Sequence, residues 1–295
     1  MTSRHYSLNL NGRLLDLGSP AVMAIINATP DSFNTSCPTA ADAAQSALKA
    51  VEQGAAIIDV GGCSTRPGGE AVSETEELTR IDEALSAIRA ALPDAPLSID
   101  TFRADVARKA VEQYGADIIN DISGGTEEMF STVADLGVAY VLTHNDGGQY
   151  SASTTRNGGQ NHKNPAADNG FADEADYMAS VLRFLEPRVA RLRELGAADV
   201  IVDPGFGFGK TLEQYYCLLR NLDLLHTLDC PVLAGLSHKS MLTQPLGIST
   251  AEAANATTVA NTIALMNHAD ILRVHDTRNA IEAIKIHQCC NQRNA

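Results

Sequence analysis

The sequence feature that most constrains the fold is the regular return of short apolar runs along the 295 residues. The runs lie at residues 23–27, 56–61, 97–100, 117–121, 139–143, 199–203, 231–235 and 270–274. They are rich in Ile and Val and show little alternation of apolar with polar residues, as expected when both faces of a parallel sheet are covered. We therefore predict eight buried parallel strands.

The segments between these runs have the pattern of helices. Ala, Leu, Glu and Arg recur at three- and four-residue spacing, which is typical of amphipathic helices. The clearest such segments are 40–52, 74–91, 104–114, 176–195 and 251–267. A strand followed by a helix, repeated eight times in about 250 residues, is the pattern of a (β/α)8 TIM barrel, which is an α/β fold. We predict that residues 1–295 form a single domain of this kind.

Three segments fall outside the repeat. Residues 6–16 place Asn-Gly between two short alternating runs, which predicts an N-terminal β-hairpin that covers the bottom of the barrel. Residues 145–172 are rich in Gly, Asn and Ser and predict a long flexible loop after the fifth strand. Residues 289–295 are expected to form a frayed C-terminal tail.

Composition excludes several classes of function. The chain has 36 acidic and 22 basic residues, for a net charge of −14, which opposes binding to nucleic acids or to anionic lipids. No stretch approaches the roughly 20 apolar residues of a membrane span, so we expect a cytoplasmic protein with no membrane partner. The six cysteines form no CxxC pair, so reduced thiols are favoured over a zinc site or disulfides.

Polar residues stand at the ends of the predicted strands. They are Asn27, Asp59, Asp100, Asn120, Asp121, His144, Asp203, Lys239, Arg273 and His275. A single terminal Asp is most often a helix cap. Several carboxylates meeting at one rim, however, cost stability unless a ligand or cations compensate them. Because catalytic residues of TIM barrels lie at the C-terminal ends of the strands, we predict a binding site here.

The residues at this rim divide by chemistry. Asp100, Asn120 and Asp203 suit the edge of a flat, nitrogen-rich heterocycle, because a carboxylate accepts two parallel N–H groups from a guanidine-like fragment. The other group suits the binding of phosphate oxygens, where Mg²⁺ is commonly coordinated by one or two protein oxygens as well as by the phosphate. Its members are Asn27, Arg66, Arg273 and His275.

Two alternative site types fail on spacing. Segment 203–210, DPGFGFGK, superficially suggests a nucleotide P-loop, but Gly205 and Gly209 are only four residues apart, so the spacing to Lys210 is wrong. Its two Phe residues more simply offer an apolar wall to an aromatic ring. The sequence also has no GxSxG, which argues against a hydrolase with a nucleophilic serine.

Seven motifs occur in order at these strand ends: NATPDSF, DVGGCSTRPGG, SIDTF, IINDISG, DPGFGFGKT, GLSHKSM and RVHD. Together they resemble the dihydropteroate synthases of folate biosynthesis, over roughly residues 7–286. The resemblance implies a transferase that condenses (7,8-dihydropterin-6-yl)methyl diphosphate with 4-aminobenzoate, releasing diphosphate. It also implies a role for Mg²⁺, a homodimer and inhibition by sulfonamides.

The same resemblance implies a role for each matching residue. The pterin would be held by Asp59, Asp100, Asn120, Asp203 and Lys239. The diphosphate would be held by Asn27, Arg66, Arg273 and His275, with Asn27 also a ligand of Mg²⁺. The aminobenzoate slot would be lined by Thr65, Pro67, Phe208 and Ser240.

The chain departs from the family pattern at four places. Cys63 replaces a usual Glu, Thr143 a usual Met and His238 a usual Arg, and the loop at 145–172 is longer than is typical. We expect changes at His238 to act on the aminobenzoate side. Two alternatives remain open: a non-catalytic or altered-specificity pterin-binding paralogue, and a reduced-folate methyltransferase domain, against which TRPG and RVHD argue.

Overall fold

The computed structural model of the protein describes residues 5–28, 39–62, 72–145, 171 and 173–291. Within these ranges the chain alternates between strands and helices after an N-terminal hairpin. The strands are β1 (Ser7–Leu10), β2 (Arg13–Asp16), β3 (Ala21–Asn27), β4 (Ile57–Gly61), β5 (Leu97–Asp100), β6 (Ile118–Asp121), β7 (Ala139–Thr143), β8 (Val200–Asp203), β9 (Leu233–Ala234) and β10 (Ile271–Val274).

Strands β3 to β10 form one parallel sheet. Their order is β8-β7-β6-β5-β4-β3-β10-β9. The two ends of this sheet meet at a parallel bridge between Val202 and Val232, and the Val202 N–H donates to the Pro231 carbonyl at 3.0 Å. The sheet is therefore a nearly closed barrel, which confirms the predicted (β/α)8 fold.

The helices follow the strands along the chain. They are α1 (Ala40–Glu52), α2 (Glu74–Ala91), α3 (Ala104–Tyr114), α4 (Glu127–Leu136), α5 (Glu174–Glu194), α6 (Leu212–Arg220), α7 (Ser240–Leu246), α8 (Ala254–Met266) and α9 (Thr277–Asn291). Helices α1 and α6 begin with capping boxes at Thr39 and Thr211, in which side chain and backbone satisfy each other's hydrogen bonds. The first three predicted helices agree with α1 to α3 at both ends.

Most predicted elements agree with the observed ones to within two residues at each end, and two elements differ in a way that has a structural reason. The run 231–235 gives only the two-residue strand β9, because Pro231 has no N–H to donate to a neighbouring strand. The segment 251–267 is divided into a 3₁₀ turn, Thr250–Glu252, and helix α8.

The N-terminal hairpin closes the bottom of the barrel, as predicted. Its turn residues Asn11 and Gly12 both have positive φ, 52° and 83°, which a two-residue turn between right-twisted strands requires. Leu8 and Leu10 are each 1% exposed and pack with the apolar residues inside the barrel. The Asn9 N–H donates to Asp199 at 2.6 Å, which ties the hairpin to the residue before β8.

The interior of the barrel changes from apolar to polar along the strands. Ile57, Ile118, Ile201 and Ile271 belong to the inner apolar cluster above the hairpin. Side chains two residues apart on a strand lie on the same face. The next inward residues are therefore Asp59, Asn120, Asp203 and Arg273. This register places polar side chains at the C-terminal mouth of the barrel.

The C-terminal segment corrects one prediction. Helix α9 continues to Asn291, so Cys289 and Cys290 lie in its last turn and not in a frayed tail that starts at 289. Residues 277–291 contain neither Gly nor Pro, so nothing in the sequence interrupts the helix there. The rest of the predicted tail lies outside the described residues.

Of the predicted loop at 145–172, the structure describes only Asn145 and Phe171, and the remainder lies outside the described ranges. Asn145 is fully buried and donates its side-chain amide to the Ile122 carbonyl at 2.8 Å. Among the helices of the described residues, none is both long and apolar enough to cross a membrane.

Candidate active site

Four strands contribute to one hydrogen-bond network at the barrel mouth. Arg273 on β10 donates through Nε to Oδ2 of Asp59 on β4 at 2.7 Å. The same guanidinium donates through Nη2 to Oδ2 of Asp100 at the end of β5 at 2.5 Å. Asn120 on β6 donates its amide to Oδ2 of Asp59 at 3.1 Å. The structure thus brings together four of the residues predicted for the site.

The charges in this network depend on one another. Burial raises the pKa of Asp100 to about 6, although the adjacent Arg273 opposes the rise. Burial by itself would lower the pKa of Arg273, but Asp59 and Asp100 outweigh burial and raise it above its ordinary value. Arg273 therefore stays charged and compensates two carboxylates that are almost completely removed from water.

Asp203 ends β8 on the same inward face. Its Oδ1 accepts the backbone N–H of Gly205 at 2.7 Å, which fixes the carboxylate relative to the loop after the strand. Burial raises the pKa of Asp203, even though that hydrogen bond and the nearby Lys239 favour its charged form. Asp203 is 7% exposed, so its carboxylate has little access to water.

Lys239 lies against the glycine- and phenylalanine-rich loop after β8. Its ammonium donates to the Phe206 carbonyl at 2.5 Å and lies 4.9 Å from the centroid of the Phe208 ring. Burial lowers the pKa of Lys239 to about 8, with Asp203 opposing the change. Gly207 has φ of +89°, and a Cβ there would lie 2.8 Å from Lys239 Nζ, so a side chain at this position would push the lysine away.

Two histidines lie side by side at the end of β10 and β9. The Nδ1 atom of His275 lies 2.9 Å from Oγ of Ser237, and the same oxygen accepts the His275 backbone N–H at 3.2 Å. The ring of His238 is perpendicular to that of His275, with 5.5 Å between centroids. Ser237 thus connects the loop after β9 to the phosphate-binding residue predicted at 275.

His238 is bonded to the protein through both ring nitrogens. Nε2 lies 2.7 Å from the Asp276 carboxylate and Nδ1 lies 2.8 Å from the Thr250 carbonyl. Its backbone has φ of +55°, a left-handed conformation that is uncommon for a residue with a side chain. His238 thus bonds to other parts of the protein, and its effect on the aminobenzoate side stays a prediction.

The remaining predicted residues lie at the rim. Asn27 ends β3, is half-buried, and makes no side-chain hydrogen bond with any residue that the structure describes. Phe208 is half-buried and Ser240 is the exposed first residue of α7. The other members, Thr65, Arg66 and Pro67, lie outside the described residues, as does Cys63.

The predicted site leaves out three hydroxyl groups. Ser237 orients His275 through its contacts with the backbone N–H and with Nδ1. Ser98 and Thr143 are fully buried, and in the described part of the chain their hydroxyls have no hydrogen-bond partner. The spacing of two residues from Asp100 could have pointed to Ser98, which was missed because its run reads as apolar. Thr143 was noted in the sequence as a departure from the family pattern, but its hydroxyl was given no role.

The chain matches known proteins over nearly its whole length. A sequence model of the family described as pterin binding enzyme matches residues 23–275. Dihydropteroate synthase of Escherichia coli strain K12 is 36% identical over 280 residues, covering 93% of each chain. These matches include every strand of the barrel from β4 to β9.

Solved structures agree with these matches. The Xanthomonas albilineans dihydropteroate synthase with 4-aminobenzoic acid has 34% identity and a TM-score of 0.84, covering 98% of this chain and all of its own. The Yersinia pestis enzyme in a sulfonamide drug complex has 35% identity and a TM-score of 0.83, covering 97% and 98%. The chain therefore belongs to the pterin binding enzyme family and, within it, to the dihydropteroate synthases.

Proposed function

We propose that this chain condenses (7,8-dihydropterin-6-yl)methyl diphosphate with 4-aminobenzoate to give 7,8-dihydropteroate and diphosphate. The observation that carries the proposal is the network of Arg273 with Asp59, Asp100 and Asn120 at the barrel mouth, in a chain that matches dihydropteroate synthases over most of its length. Burying such a network costs desolvation even when its charges are paired, and it lies at the end of the barrel where TIM-barrel enzymes bind their substrates.

The pterin is held by the carboxylate and amide groups. Asp203 keeps Oδ1 on the Gly205 N–H, and its carboxylate can accept N–H groups of the heterocycle. Asp100 and Asn120 offer an acceptor and an amide on neighbouring strands. Lys239 adds a cation whose position is set by the Phe206 carbonyl.

The diphosphate is held by Asn27, Arg66, Arg273 and His275. If the Ser237 hydroxyl donates to Nδ1 of His275, the neutral ring carries its proton on Nε2, which is then a donor suited to a phosphate oxygen. Arg273 connects the two halves of the site, because its guanidinium is already bonded to Asp59 and Asp100.

The donor set fits Mg²⁺ bound largely through the substrate. In the described ranges no group of three or more His, Cys, Asp or Glu residues is placed to hold a metal ion. Asn27 offers one amide oxygen at the mouth, and Mg²⁺ commonly uses one or two protein oxygens together with substrate phosphates. When bound, Mg²⁺ would neutralise charge on the departing diphosphate.

The residues of the site can assist cleavage of the C–O bond to diphosphate by stabilising the charges that develop. As the C–O bond to diphosphate breaks, positive charge grows on the pterin methylene and negative charge on the leaving oxygens. The carboxylates of Asp59 and Asp100 would stabilise the positive charge on the methylene. Arg273 and His275 would stabilise the negative charge on the leaving oxygens. The weakly nucleophilic amine of aminobenzoate then needs placement more than a strong base.

The aminobenzoate slot is formed by Thr65, Pro67, Phe208 and Ser240. Two related enzymes support this part of the proposal, since one is solved with 4-aminobenzoic acid and the other with a sulfonamide drug. Phe208 offers an aromatic face beside the Lys239 ammonium, and Ser240 offers a hydroxyl at the start of α7.

A homodimer is the proposed state of the protein. On α8, the apolar side chains of Val259, Ile263 and Met266 are 53%, 38% and 66% exposed. They follow at four- and three-residue spacing, so they share one face of the helix. A second copy of this chain would cover such a face.

We also propose that the chain forms a single domain and that it lies in the cytoplasm.

One assay tests the reaction. The purified protein is incubated with the dihydropterin diphosphate, labelled 4-aminobenzoate and Mg²⁺, and labelled dihydropteroate is measured; we expect steady turnover. A surface variant, Arg278→Ala, serves as a matched control because its side chain is 76% exposed and pairs with Glu282 on the same helix, α9. Pterin binding with no product would favour the non-catalytic paralogue, and binding of a methylated reduced folate with no product would favour the methyltransferase.

A further inference from the structure

Thr143, the last residue of β7, has a buried hydroxyl that lacks a partner. The residue is 0% exposed, and Oγ1 has no hydrogen bond to any group in the described part of the chain. Buried hydroxyls in proteins are nearly always hydrogen-bonded, because burial removes their bonds to water. Valine has almost the same shape and would avoid the cost of burying an unbonded hydroxyl. We therefore expect the Thr143 hydroxyl to bond with a group that is absent from the described chain.

The register of the sheet directs this side chain into the barrel mouth. Thr143 is aligned with Asp203 between β7 and β8, and the His144 N–H donates to the Asp203 carbonyl at 2.8 Å. Adjacent strands lie about 4.8 Å apart, and aligned residues of parallel strands face the same side. Val141, two residues earlier, belongs to the inner apolar cluster. Thr143 therefore stands above that cluster and beside the Asp203 carboxylate.

We propose that the Thr143 hydroxyl hydrogen-bonds the polar edge of the pterin beside the N–H groups that Asp203 accepts. The inference rests on the proposed function and adds a specificity-determining residue to it. A hydroxyl both donates and accepts, so it can meet a ring carbonyl or a ring nitrogen at that edge. Bound pterin would supply the partner that the protein does not, and a heterocycle without a polar atom there would bind more weakly.

The experiment compares wild type with Thr143→Val and Thr143→Ser. Calorimetric titration with (7,8-dihydropterin-6-yl)methyl diphosphate is expected to give about tenfold weaker binding for Thr143→Val, and near wild-type binding for Thr143→Ser. Thermal unfolding without added substrate is expected to show an equal or higher Tm for Thr143→Val, because the variant removes an unpartnered buried hydroxyl. Weaker binding together with undiminished stability is a pattern that a merely structural residue would not give.

Tyr177→Phe is the matched control. It removes another buried hydroxyl without a partner in the described chain, on helix α5 and outside the strands, and should leave pterin binding unchanged. Equal affinities of wild type and Thr143→Val would overturn the inference alone. A lower Tm with lost binding that Thr143→Ser does not restore would overturn it too. Wild type that binds no pterin would overturn both this inference and the proposed function.

Discussion

The guanidinium of Arg273 donates to the carboxylate of Asp100 with 2.5 Å between Nη2 and Oδ2. The sequence divides these two residues between a phosphate-binding half and a pterin-binding half of the site. In the structure they belong to one network, because the long side chain of Arg273 reaches across the interior from β10 to β4 and β5. The anion-binding and ring-binding parts of the mouth therefore share charges.

Removing Arg273 should destabilise the fold. Arg273→Ala leaves Asp59 and Asp100 buried without their cation, and breaking a buried pair in this way typically costs about 3 to 5 kcal/mol of unfolding free energy. Urea unfolding monitored by circular dichroism measures the change. The exposed pair of Arg278 with Glu282 is the control, since Arg278→Ala should change the free energy of unfolding by about 0.5 kcal/mol or less. Equal losses for the two variants would contradict the account of Arg273.

Pterin binding should depend on pH on both sides of neutrality. Asp100, with its pKa raised to about 6, gains a proton as the pH falls through 6. The protonated carboxyl group is then a weaker hydrogen-bond acceptor for the N–H groups of the pterin. Lys239, with its pKa lowered to about 8, loses its charge as the pH rises through 8. We expect the tightest binding between these values and affinity about tenfold weaker near pH 5.

Calorimetric titrations between pH 5 and 9 measure this profile. Lys239→Met should weaken binding and flatten the alkaline side, because no titrating ammonium remains there. Affinity that stays constant from pH 5 to 7.5 would show that the protonation of Asp100 is irrelevant to binding.

His238 is expected to stabilise the loops around the site. His238→Ala removes hydrogen bonds to Asp276 and Thr250 and should lower the free energy of unfolding by about 1 to 3 kcal/mol. His238→Arg can keep a contact with Asp276 through its guanidinium, so we predict kcat/KM for 4-aminobenzoate equal to or above that of wild type. Steady-state kinetics of both variants, with denaturant unfolding, make the comparison. A large loss of activity in His238→Arg at unchanged stability would refute this interpretation.

The apolar face of α8 gives a prediction about assembly. Ile263→Glu places a charge between Val259 and Met266 and should shift a homodimer toward monomers in analytical ultracentrifugation. Leu224→Glu is the control, because Leu224 is also 38% exposed but lies in the 3₁₀ segment Leu222–Leu228. If wild type sediments as a monomer at all concentrations, or if Ile263→Glu remains dimeric, α8 is not the interface.

Most of the barrel could be predicted because each strand is an unbroken apolar run. The runs at 97–100 and 139–143 coincide with β5 and β7, and three helices agree at both ends. Predictions failed where local chemistry opposed the pattern, as at Pro231, which shortens β9. They also failed where a compositional cue was weak, since the adjacent Cys289 and Cys290 suggest a tail but continue α9.

The site could be predicted as a set of residues but not as a network. Period-two spacing from the apolar layer explains why Asp59, Asn120, Asp203 and Arg273 meet at the mouth. The sequence could not show which cation compensates which carboxylate, because that depends on how far a flexible side chain reaches across the barrel. For the same reason, the bonds from His238 to Asp276 and Thr250 join residues that are 38 and 12 positions apart and follow no local pattern.

The most direct measurement of the central claim is calorimetric titration of wild type and Asp203→Asn with (7,8-dihydropterin-6-yl)methyl diphosphate, with and without Mg²⁺. We predict saturable binding to wild type and roughly 5- to 150-fold weaker binding to Asp203→Asn, since the amide replaces one acceptor of a buried carboxylate by a donor. Wild type that binds no pterin in either condition, or equal affinities of the two proteins, would contradict it.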